Sequence, residues 1–315
     1  MQSLADIAKL LEKYGKFYIL AHKYPDGDAI GSSYALCRAF QSIGKKAKIL
    51  MEDEIPSKYK FLERYIKKED FEAEFIISVD IADVNQLGES LNKYSDKINL
   101  CIDHHITNKN YADNTFLDTS SASASEIIYA LINEMGINVD KGIAECLYTG
   151  ISTDTGCFKY SNVTAKTHRI TADLIEKGIE LSKINRILFD TKSRKFLKLE
   201  SLIYNSLEYF FQGKCAMVFV TPEMLKQCNI MENEFEGIAS IPRAIEGVYV
   251  GITIREKSLG VYKVSVRTSE KVSAVEICKQ FGGGGHACAA GFTFEGKIDN
   301  LRMEILSCLE KKLCL

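Results

Sequence analysis

The sequence has almost no net charge and no long apolar run. Lys and Arg number 40 against 42 Asp and Glu, a formal charge of −2, which gives no general positive surface for a long polyanion. No stretch of about 18 or more apolar residues is present, and the first segment, MQSLADIAKLLEKYGK, alternates apolar and charged residues where a signal peptide would be continuously apolar. We therefore expect a cytoplasmic protein that binds neither a membrane nor long nucleic acid.

Paired cysteine motifs and prolines are also scarce. The ten cysteines include no C-x-x-C pair, and a chain of 315 residues can build a core without disulfides, so we expect reduced thiols. With only four prolines, the element boundaries must be inferred from the hydrophobic period. Because one core rarely serves more than roughly 250–300 residues, this length favours two domains.

Apolar strands and amphipathic helices alternate in the first half of the chain. Strands are predicted at 17–21, 47–51, 75–79 and 98–102, and helices at 4–11, 29–40, 125–135 and 141–152. Strands separated by helices favour an α/β domain with a mainly parallel sheet and helices on both faces. We place this domain at residues 1–190.

The second half follows a different pattern. Charged and apolar residues alternate at helical spacing from residue 164 to about residue 210, and we interpret residues 191–212 as a helical connector. From Cys215 the segments CAMVFV, GVYVGITIRE and YKVSVRT predict strands, and a helix at 273–280, a glycine run and a terminal helix follow. We expect a smaller, mixed α/β domain at residues 213–315.

Acidic and imidazole side chains follow the predicted strands of the first domain. The carboxyl ends of parallel strands meet along one edge of the sheet, where such folds bind ligands. The residues concerned are His22, Asp26 and Asp28 after the first strand, Asp80 after the third, and Asp103, His104 and His105 after the fourth. Asp154, in the segment GISTDTG, is a further candidate that no strand pattern places.

This set of side chains predicts a divalent-metal site. Carboxylates and imidazoles without a thiolate suit Mn²⁺ or Mg²⁺ and argue against a structural zinc site. Grouped aspartates would repel one another without a cation, and two metal ions about 3.5–4 Å apart are a recurring device for displacement at phosphorus. We therefore expect two divalent metal ions, with Mn²⁺ favoured, and phosphoester hydrolysis.

The motifs AHKYPDGDAIGS, SVDIAD, IDHH and STDTG, in this order, resemble the DHH phosphoesterase superfamily, which includes RecJ exonucleases, manganese pyrophosphatases and small oligoribonucleases. In the second domain, VSVRTSE and FGGGGHACAAGF resemble DHHA1, the substrate-binding domain of nucleotide-cleaving members. The whole chain resembles the branch of NrnA-type oligoribonucleases and pAp phosphatases. The resemblance implies that residues 1–190 are the catalytic DHH domain and residues 213–315 the DHHA1 domain.

The resemblance also implies roles for the residues of the first domain. Water activated by two metal ions would attack the phosphorus. Asp103 would orient its neighbours, and His105 would contact the scissile phosphate. The implied metal ligands are His22 and Asp26 for one ion, Asp28 and His104 for the second, Asp80 bridging both, and Asp154 completing the coordination.

The glycine run of the second domain is a candidate substrate contact. Its spacing is not that of a Walker P-loop, but consecutive glycines let backbone N–H groups approach a ligand closely; a flexible turn is the alternative reading. With the resemblance, the residues expected to hold a terminal phosphate or sugar are Gly283, Gly284, Gly285 and His286, with Arg267 as a guanidinium clamp and Arg255 as a weaker candidate.

The resemblance implies an enzyme that degrades short oligoribonucleotides (nanoRNA) to mononucleotides and removes the 3′-phosphate of pAp. A phosphodiesterase for cyclic di-AMP or its linear product pApA is the alternative that the sequence does not separate. A pyrophosphatase is disfavoured by GGGGH and VSVRT, and a RecJ-like exonuclease by the lack of an OB domain and of positive charge. A regulator without catalysis would lack a ligand, and all six are present. A homodimer is one option for the assembly.

Overall fold

The computed structural model describes residues 3–230, 237–269 and 271–313. The chain divides into two compact units, Met1–Thr191 and Lys192–Leu315, each with its own sheet and its own core. Within the described ranges, nine cysteines are present and none forms a disulfide.

The first unit is built on a five-stranded sheet in the order β2-β1-β3-β4-β5, and every neighbouring pair is parallel. Its strands are β1 (Lys16–Leu20), β2 (Lys46–Leu50), β3 (Phe75–Val79), β4 (Leu100–Asp103) and β5 (Asn114–Leu117). Its α-helices are α1 (Leu4–Glu12), α2 (Gly27–Ser42), α3 (Ala124–Glu134), α4 (Lys141–Asp154), α5 (Ala165–Glu176) and α6 (Leu181–Asn185), the last followed by a π-helical turn at Arg186–Asp190.

Both faces of this sheet are covered, which explains why β3 is buried at every position. Alternate side chains such as Phe17 and Ile19 of β1 face the main core with helices α1 to α5. The side chains of Tyr18 and Leu20, which point the other way, pack on the opposite face in a smaller cluster. Short 3-10 helices at Val84–Gln86 and Asn92–Lys97 contribute Val84 and Tyr94 to that second cluster. The second face of the sheet is therefore covered by 3-10 helices and loops, whereas α-helices cover the first.

Helices α2 and α4 approach each other closely because glycines lie at their contact. A Cβ atom at Gly31 of α2 would come within 2.5 Å of the carbonyl oxygen of Cys146 in α4. At Gly150 of α4, a Cβ atom would lie 2.7 Å from a carboxylate oxygen of Asp28. The absence of side chains at these positions brings the start of α2 beside the end of α4.

The second unit contains a six-stranded sheet in the order β10-β11-β9-β8-β7-β6, in which only β7 and β8 are parallel among the described pairs. Its strands are β6 (Glu208–Phe210), β7 (Cys215–Val220), β8 (Val250–Ser258), β9 (Val261–Thr268), β10 (Gly284–His286) and β11 (Ala289–Glu295). Its α-helices are α7 (Arg194–Asn205), α8 (Pro222–Cys228), α9 (Ala274–Lys279) and α10 (Ile298–Leu313).

The segment predicted to be a helical connector has a different structure. Helix α7 buries Leu199 and Ile203 in a cluster with Val218 and Val220 of β7, so it packs on the second sheet. The residues after it do not continue the helix, because β6 pairs antiparallel with β7. Residues 192–212 therefore belong to the second compact unit.

Two further strands lie where the hydrophobic pattern predicted none. Strand β5, NTFL, is half-buried throughout and carries no apolar run, so its period gave no signal. The glycine run is not a flexible turn, because Gly284–His286 form β10, which pairs antiparallel with β11. Strand β11 follows directly, at Ala289–Glu295.

Candidate metal centre

The predicted acidic and imidazole residues of the first unit gather at one edge of its sheet. Neighbouring strands β1, β3 and β4 end at Leu20, Val79 and Asp103, so the residues that follow them come together at the carboxyl edge. Asp26 is the N-cap of α2, and Asp154 is the last residue of α4.

Three groups of these residues bring their ligand atoms within 4.8 Å of one another. The groups, found among the described residues, are His22 with Asp26 and Asp80, Asp28 with His104 and Asp154, and Asp80 with His104 and His105. All of the residues predicted to bind metal are therefore brought together.

Asp80 belongs to the first group and also faces the second. Its Oδ2 is 4.0 Å from Nε2 of His22, and its Oδ1 is 3.5 Å from Nε2 of His104. On the first side, Nε2 of His22 is also 4.0 Å from Oδ1 of Asp26. On the second side, Nε2 of His104 is 3.9 Å from Oδ2 of Asp28 and 3.7 Å from Oδ2 of Asp154. The two oxygens of one carboxylate thus face two separate ligand groups.

Asp80 is also strained and incompletely satisfied. Its backbone has a φ of 61°, in the left-handed region that residues other than glycine rarely adopt. The side chain is 3% exposed, and its Oδ1 has no hydrogen-bond partner among the described residues. A buried carboxylate oxygen without a partner is costly unless something else binds it, and a divalent cation fits that position.

The N-termini of two helices orient Asp26 and Asp28. Oδ1 of Asp26 accepts hydrogen bonds from the backbone N–H groups of Asp28 (3.0 Å) and Ala29 (3.1 Å), as an N-cap does. The Asp28 carboxylate accepts from the N–H of Ala124 (2.6 Å), the N–H of Ser125 (3.0 Å) and the Ser125 hydroxyl (2.6 Å) at the start of α3. Both carboxylates are therefore held in place independently of any ion.

The histidine rings are held so that Nε2 faces the carboxylates. Nδ1 of His22 lies 2.8 Å from the carbonyl oxygen of Lys23, and Nδ1 of His104 lies 3.3 Å from that of Ser121. A carbonyl oxygen requires a proton on Nδ1, which leaves the Nε2 lone pair for a metal ion. The backbone thus selects the tautomer that a ligand needs.

Asp103 orients the neighbouring histidines. Its Oδ1 accepts hydrogen bonds from Nδ1 of His105 at 2.7 Å and from the backbone N–H of His104 at 2.8 Å, and its Oδ2 accepts from Nδ2 of Asn108 at 2.7 Å. Burial alone would raise the pKa of Asp103, but the hydrogen bonds from His105 and Asn108 outweigh burial and lower it. Asp103 is therefore an anion that fixes the His105 ring.

The pKa values of the neighbouring carboxylates shift in the opposite direction. The pKa values of Asp80 and Asp154 lie well above the ordinary value because both groups lose hydration and both face the Asp28 carboxylate. Burial also raises the pKa of Asp28, although His104 and Ser125 oppose the shift. Such a group of acids is poised to bind positive charge, supplied by protons or by metal ions.

Some supporting residues carry no signal in the sequence pattern. Ser125 and Asn108 stand in segments that read as a helix start and a loop, and their partners are distant in sequence or in another element. The N-cap signal before α3 could have located the start of that helix, but it could not have identified Asp28, 97 residues from Ser125, as the acceptor.

In the second unit, the sheet register aligns two of the predicted substrate contacts. His286 is opposite Ala289, which is opposite Arg267, so these three positions share one row and one face. The backbone of His286 is described, and its side chain lies outside the described part of the chain. Nη1 of Arg267 donates to the carbonyl oxygen of Val266 at 3.1 Å.

The neighbouring row on this face consists of small residues. Gly284 is opposite Gly291, which is opposite Ser265. A Cβ atom at Gly284 would meet nothing within 4 Å, whereas one at Gly283 would clash with the carbonyl oxygen of Gly291, and Gly285 has a φ of 139°. The row is flat because Gly284 and Gly291 have no side chains.

Arg255 stands apart from that row. It is opposite Lys263, four residues along β9 from Arg267, which corresponds to roughly 13 Å along the strand. Of the two arginines considered from the sequence, only Arg267 shares a row with His286.

Two family profiles match the chain. The DHH family, N-terminal domain, matches residues 16–151, and the DHHA1 domain matches residues 216–311. The bifunctional oligoribonuclease and PAP phosphatase NrnA of Thermus thermophilus is 30% identical, over 99% of this chain and 94% of that protein. The chain belongs to the DHH family. Its fold class, its membership of the phosphoester hydrolases and its resemblance to NrnA-type proteins are thereby confirmed.

Further relatives of this DHH protein support the same placement. The NrnA protein of Bacillus subtilis is 26% identical over 91% of each chain. A Bacteroides fragilis structure described as an exopolyphosphatase-related protein superposes with a TM-score of 0.88 at 27% identity, over 98% of this chain and 95% of that one.

Phosphoesterases of the DHH family depend on metal ions, and the grouped carboxylates and imidazoles of this chain could bind them. The unpartnered Oδ1 of Asp80 and the Nε2 atoms aimed at carboxylates fit that requirement. In the described part of the chain, none of the helices has the length and apolar character needed to span a bilayer.

Proposed function

We propose that this DHH protein hydrolyses short oligoribonucleotides to mononucleotides and dephosphorylates pAp to AMP, using two divalent metal ions, with Mn²⁺ favoured. The observation that carries the proposal is the position of Asp80 between two His and carboxylate groups, in a chain alignable over nearly its full length with NrnA. The named activities of the relatives supply the substrate class, since the fold alone hosts several reactions.

In this proposal His22 and Asp26 would hold one ion, and Asp28, His104 and Asp154 would hold the other. Asp80, which faces both groups, would contribute to both. The ions would neutralise charge on the phosphate and lower the pKa of a water molecule. The residues of the chain supply the geometry, because hydrogen bonds already hold the side chains of four ligands and a strained backbone holds Asp80; the four are His22, Asp26, Asp28 and His104.

His105 is the residue proposed to contact the scissile phosphate. Its Nδ1 is engaged with Asp103, which turns the opposite edge of the ring away from that carboxylate. Burial alone would lower the pKa of His105, but the hydrogen bond to Asp103 and the charge of Asp80 raise it above the ordinary value. A His105 imidazolium would stabilise negative charge that develops on the phosphate oxygens.

The row that contains His286 and Arg267 is proposed to bind a phosphate or a sugar of the substrate. The flat, small-residue surface formed by Gly284, Gly291 and Ser265 would let backbone groups approach a phosphate or a sugar. Arg267 would supply the charge-assisted hydrogen bond. The near-neutral chain agrees with this arrangement, because two or three phosphates need only a local positive group.

The proposal is tested by product analysis with Mn²⁺ or EDTA, using a mixture of pAp, pApA, an RNA pentamer, cyclic di-AMP and pyrophosphate. AMP from pAp and pApA, and mononucleotides from the pentamer, with no products in EDTA or from Asp80→Asn, would support it. Cleavage of cyclic di-AMP and pApA alone would identify a second-messenger phosphodiesterase instead, and pyrophosphate hydrolysis alone would identify a pyrophosphatase. Absence of turnover, together with binding of pAp, would indicate a regulator.

A further inference from the structure

The segment after α4 forms a strained turn beside the metal centre. Gly156, Cys157 and Phe158 have consecutive φ angles of 57°, 59° and 62°, and two of the three are not glycine. Left-handed backbone at such residues costs free energy and persists only where the surroundings enforce it. This turn begins two residues after Asp154, one of the carboxylates that face His104.

Hydrogen bonds and packing hold this turn rigid. The backbone N–H of Cys157 donates to the carbonyl oxygen of Ser152 at 2.7 Å, and that of Phe158 donates to the Thr155 hydroxyl at 3.1 Å. The Phe158 ring stacks on His168 with centroids 5.6 Å apart. The strained conformation is therefore fixed from both its backbone and its side chains.

The residues that follow are tied back to the metal centre. Nδ2 of Asn162 donates to the carbonyl oxygens of Asp154 (3.1 Å) and Ala122 (3.0 Å). The backbone N–H of Tyr160 donates to the carbonyl oxygen of Thr155 at 3.1 Å. The position of Tyr160 is thus set by the same turn that ends α4.

The rigid turn presents Tyr160 to solvent. The side chain of this residue is 56% exposed, and its ring lies against Gly156 so closely that a Cβ atom there would clash with it. Because consecutive Cα atoms are about 3.8 Å apart, the Cα of Gly156 lies no more than about 7.6 Å from that of Asp154. An exposed aromatic ring therefore lies on the turn that begins two residues after Asp154.

We propose that Tyr160 is the stacking platform for the base of the nucleotide whose phosphate is hydrolysed, an inference that rests on the proposed function. Exposed aromatic side chains bind bases without strong sequence preference because every base has a π face. Such a platform would favour nucleotide substrates over other phosphoesters. Tyr24, which is 57% exposed and two residues from His22, is the competing position. Tyr160 is favoured because its ring packs against Gly156, which fixes the orientation of the ring.

The test compares ligands that differ only in the base. Binding of AMP and of ribose 5-phosphate would be measured by calorimetry in Mn²⁺ for the full chain and for Tyr160→Ala, Tyr160→Phe, Tyr24→Ala and Tyr204→Ala. Tyr204, 52% exposed on α7, is the matched control. We expect Tyr160→Ala to weaken AMP binding by about 5- to 150-fold with ribose 5-phosphate unchanged, and Tyr160→Phe to bind like the wild type.

Three outcomes would overturn the platform. Equal losses for AMP and ribose 5-phosphate in Tyr160→Ala would indicate a structural role, and a base-specific loss confined to Tyr24→Ala would move the platform to the other loop. Unchanged AMP binding in Tyr160→Ala would remove it altogether. The proposed function is judged separately by turnover of pAp and RNA by the wild type, so its failure is distinguishable from that of the platform.

Discussion

Asp80 combines a left-handed backbone, burial and an unpartnered oxygen, each of which costs stability in a protein without a ligand. Its neighbours Asp28 and Asp154 are carboxylates whose charge adds to that cost. Unfavourable features concentrated at one residue indicate that it is retained for binding, because an apolar residue would remove the buried, unpartnered oxygen and a glycine would relieve the backbone strain. The same residue faces His22 and His104, which explains why the two ligand groups meet there.

Arg267 allows a prediction about substrate binding at the scale of one residue. We expect Arg267→Ala to lower kcat/KM for pAp. The loss should correspond to about 1.5–3 kcal/mol of transition-state stabilisation, the range for a hydrogen bond to a charged group. Arg267→Lys should recover part of the loss, because it keeps the charge and loses the planar fork. Arg255→Ala is the control, since Arg255 lies four residues along the sheet from the row of Arg267.

Steady-state kinetics on pAp and on a phosphodiester that lacks a distal phosphate would check this prediction. The loss should be confined to pAp. A larger effect from Arg255→Ala than from Arg267→Ala would show that the guanidinium clamp lies at the other position.

At the scale of elements, the contact between α2 and α4 connects packing to the metal centre. Gly150 of α4 lies against Asp28 of α2 and Ser125 of α3, so three helices meet beside one carboxylate. A side chain at Gly150 would have to displace the Asp28 carboxylate or the hydroxyl that binds it. The close helix contact is therefore a condition for the position of that ligand.

We expect Gly150→Ala to destabilise the protein by about 1–3 kcal/mol and to weaken Mn²⁺ binding, because the new methyl group overpacks the site of Asp28. Gly15→Ala is the control, since a Cβ atom there meets only Oε2 of Glu74 at 3.7 Å. Denaturant unfolding and calorimetric Mn²⁺ titration would measure both effects. Unchanged Mn²⁺ affinity in Gly150→Ala would disconnect the helix contact from the ligand.

The elements also explain what the sequence could predict. Strands such as β3 are recognisable because both faces are buried and the apolar run is continuous, and their ends locate His22, Asp80 and Asp103. Strand β5 has no such run, and its position follows from pairing with β4. The donors to Asp28 come from a helix 96 and 97 residues away, a relation that only tertiary packing creates. Local sequence patterns therefore predicted the acidic and imidazole groups of the site, but not the residues that hold them in place by hydrogen bonds.

At the scale of the whole molecule, stability should depend on pH in an unusual direction when metal is absent. The pKa values of Asp80, Asp154, His104 and His105 are all raised in the folded chain. A folded state with raised pKa values binds more protons than the unfolded state, so its free energy of unfolding increases as pH falls toward the unfolded pKa values and decreases as pH rises through the folded ones. Lowered carboxyl pKa values, as for Asp103, act only at more acidic pH.

We therefore expect the melting temperature in EDTA to rise as pH is lowered from about 8 to about 5.5, since protons relieve the repulsion among the buried carboxylates. With saturating Mn²⁺ the melting temperature at pH 8 should be higher than in EDTA. It should fall on acidification, because protons compete with the ion for its ligands. Thermal unfolding followed by circular dichroism would measure both profiles. Asp80→Asn should flatten the profile in EDTA by removing one of the repelling charges. A melting temperature in EDTA that falls steadily from pH 8 to pH 5.5 would contradict the electrostatic account of this centre.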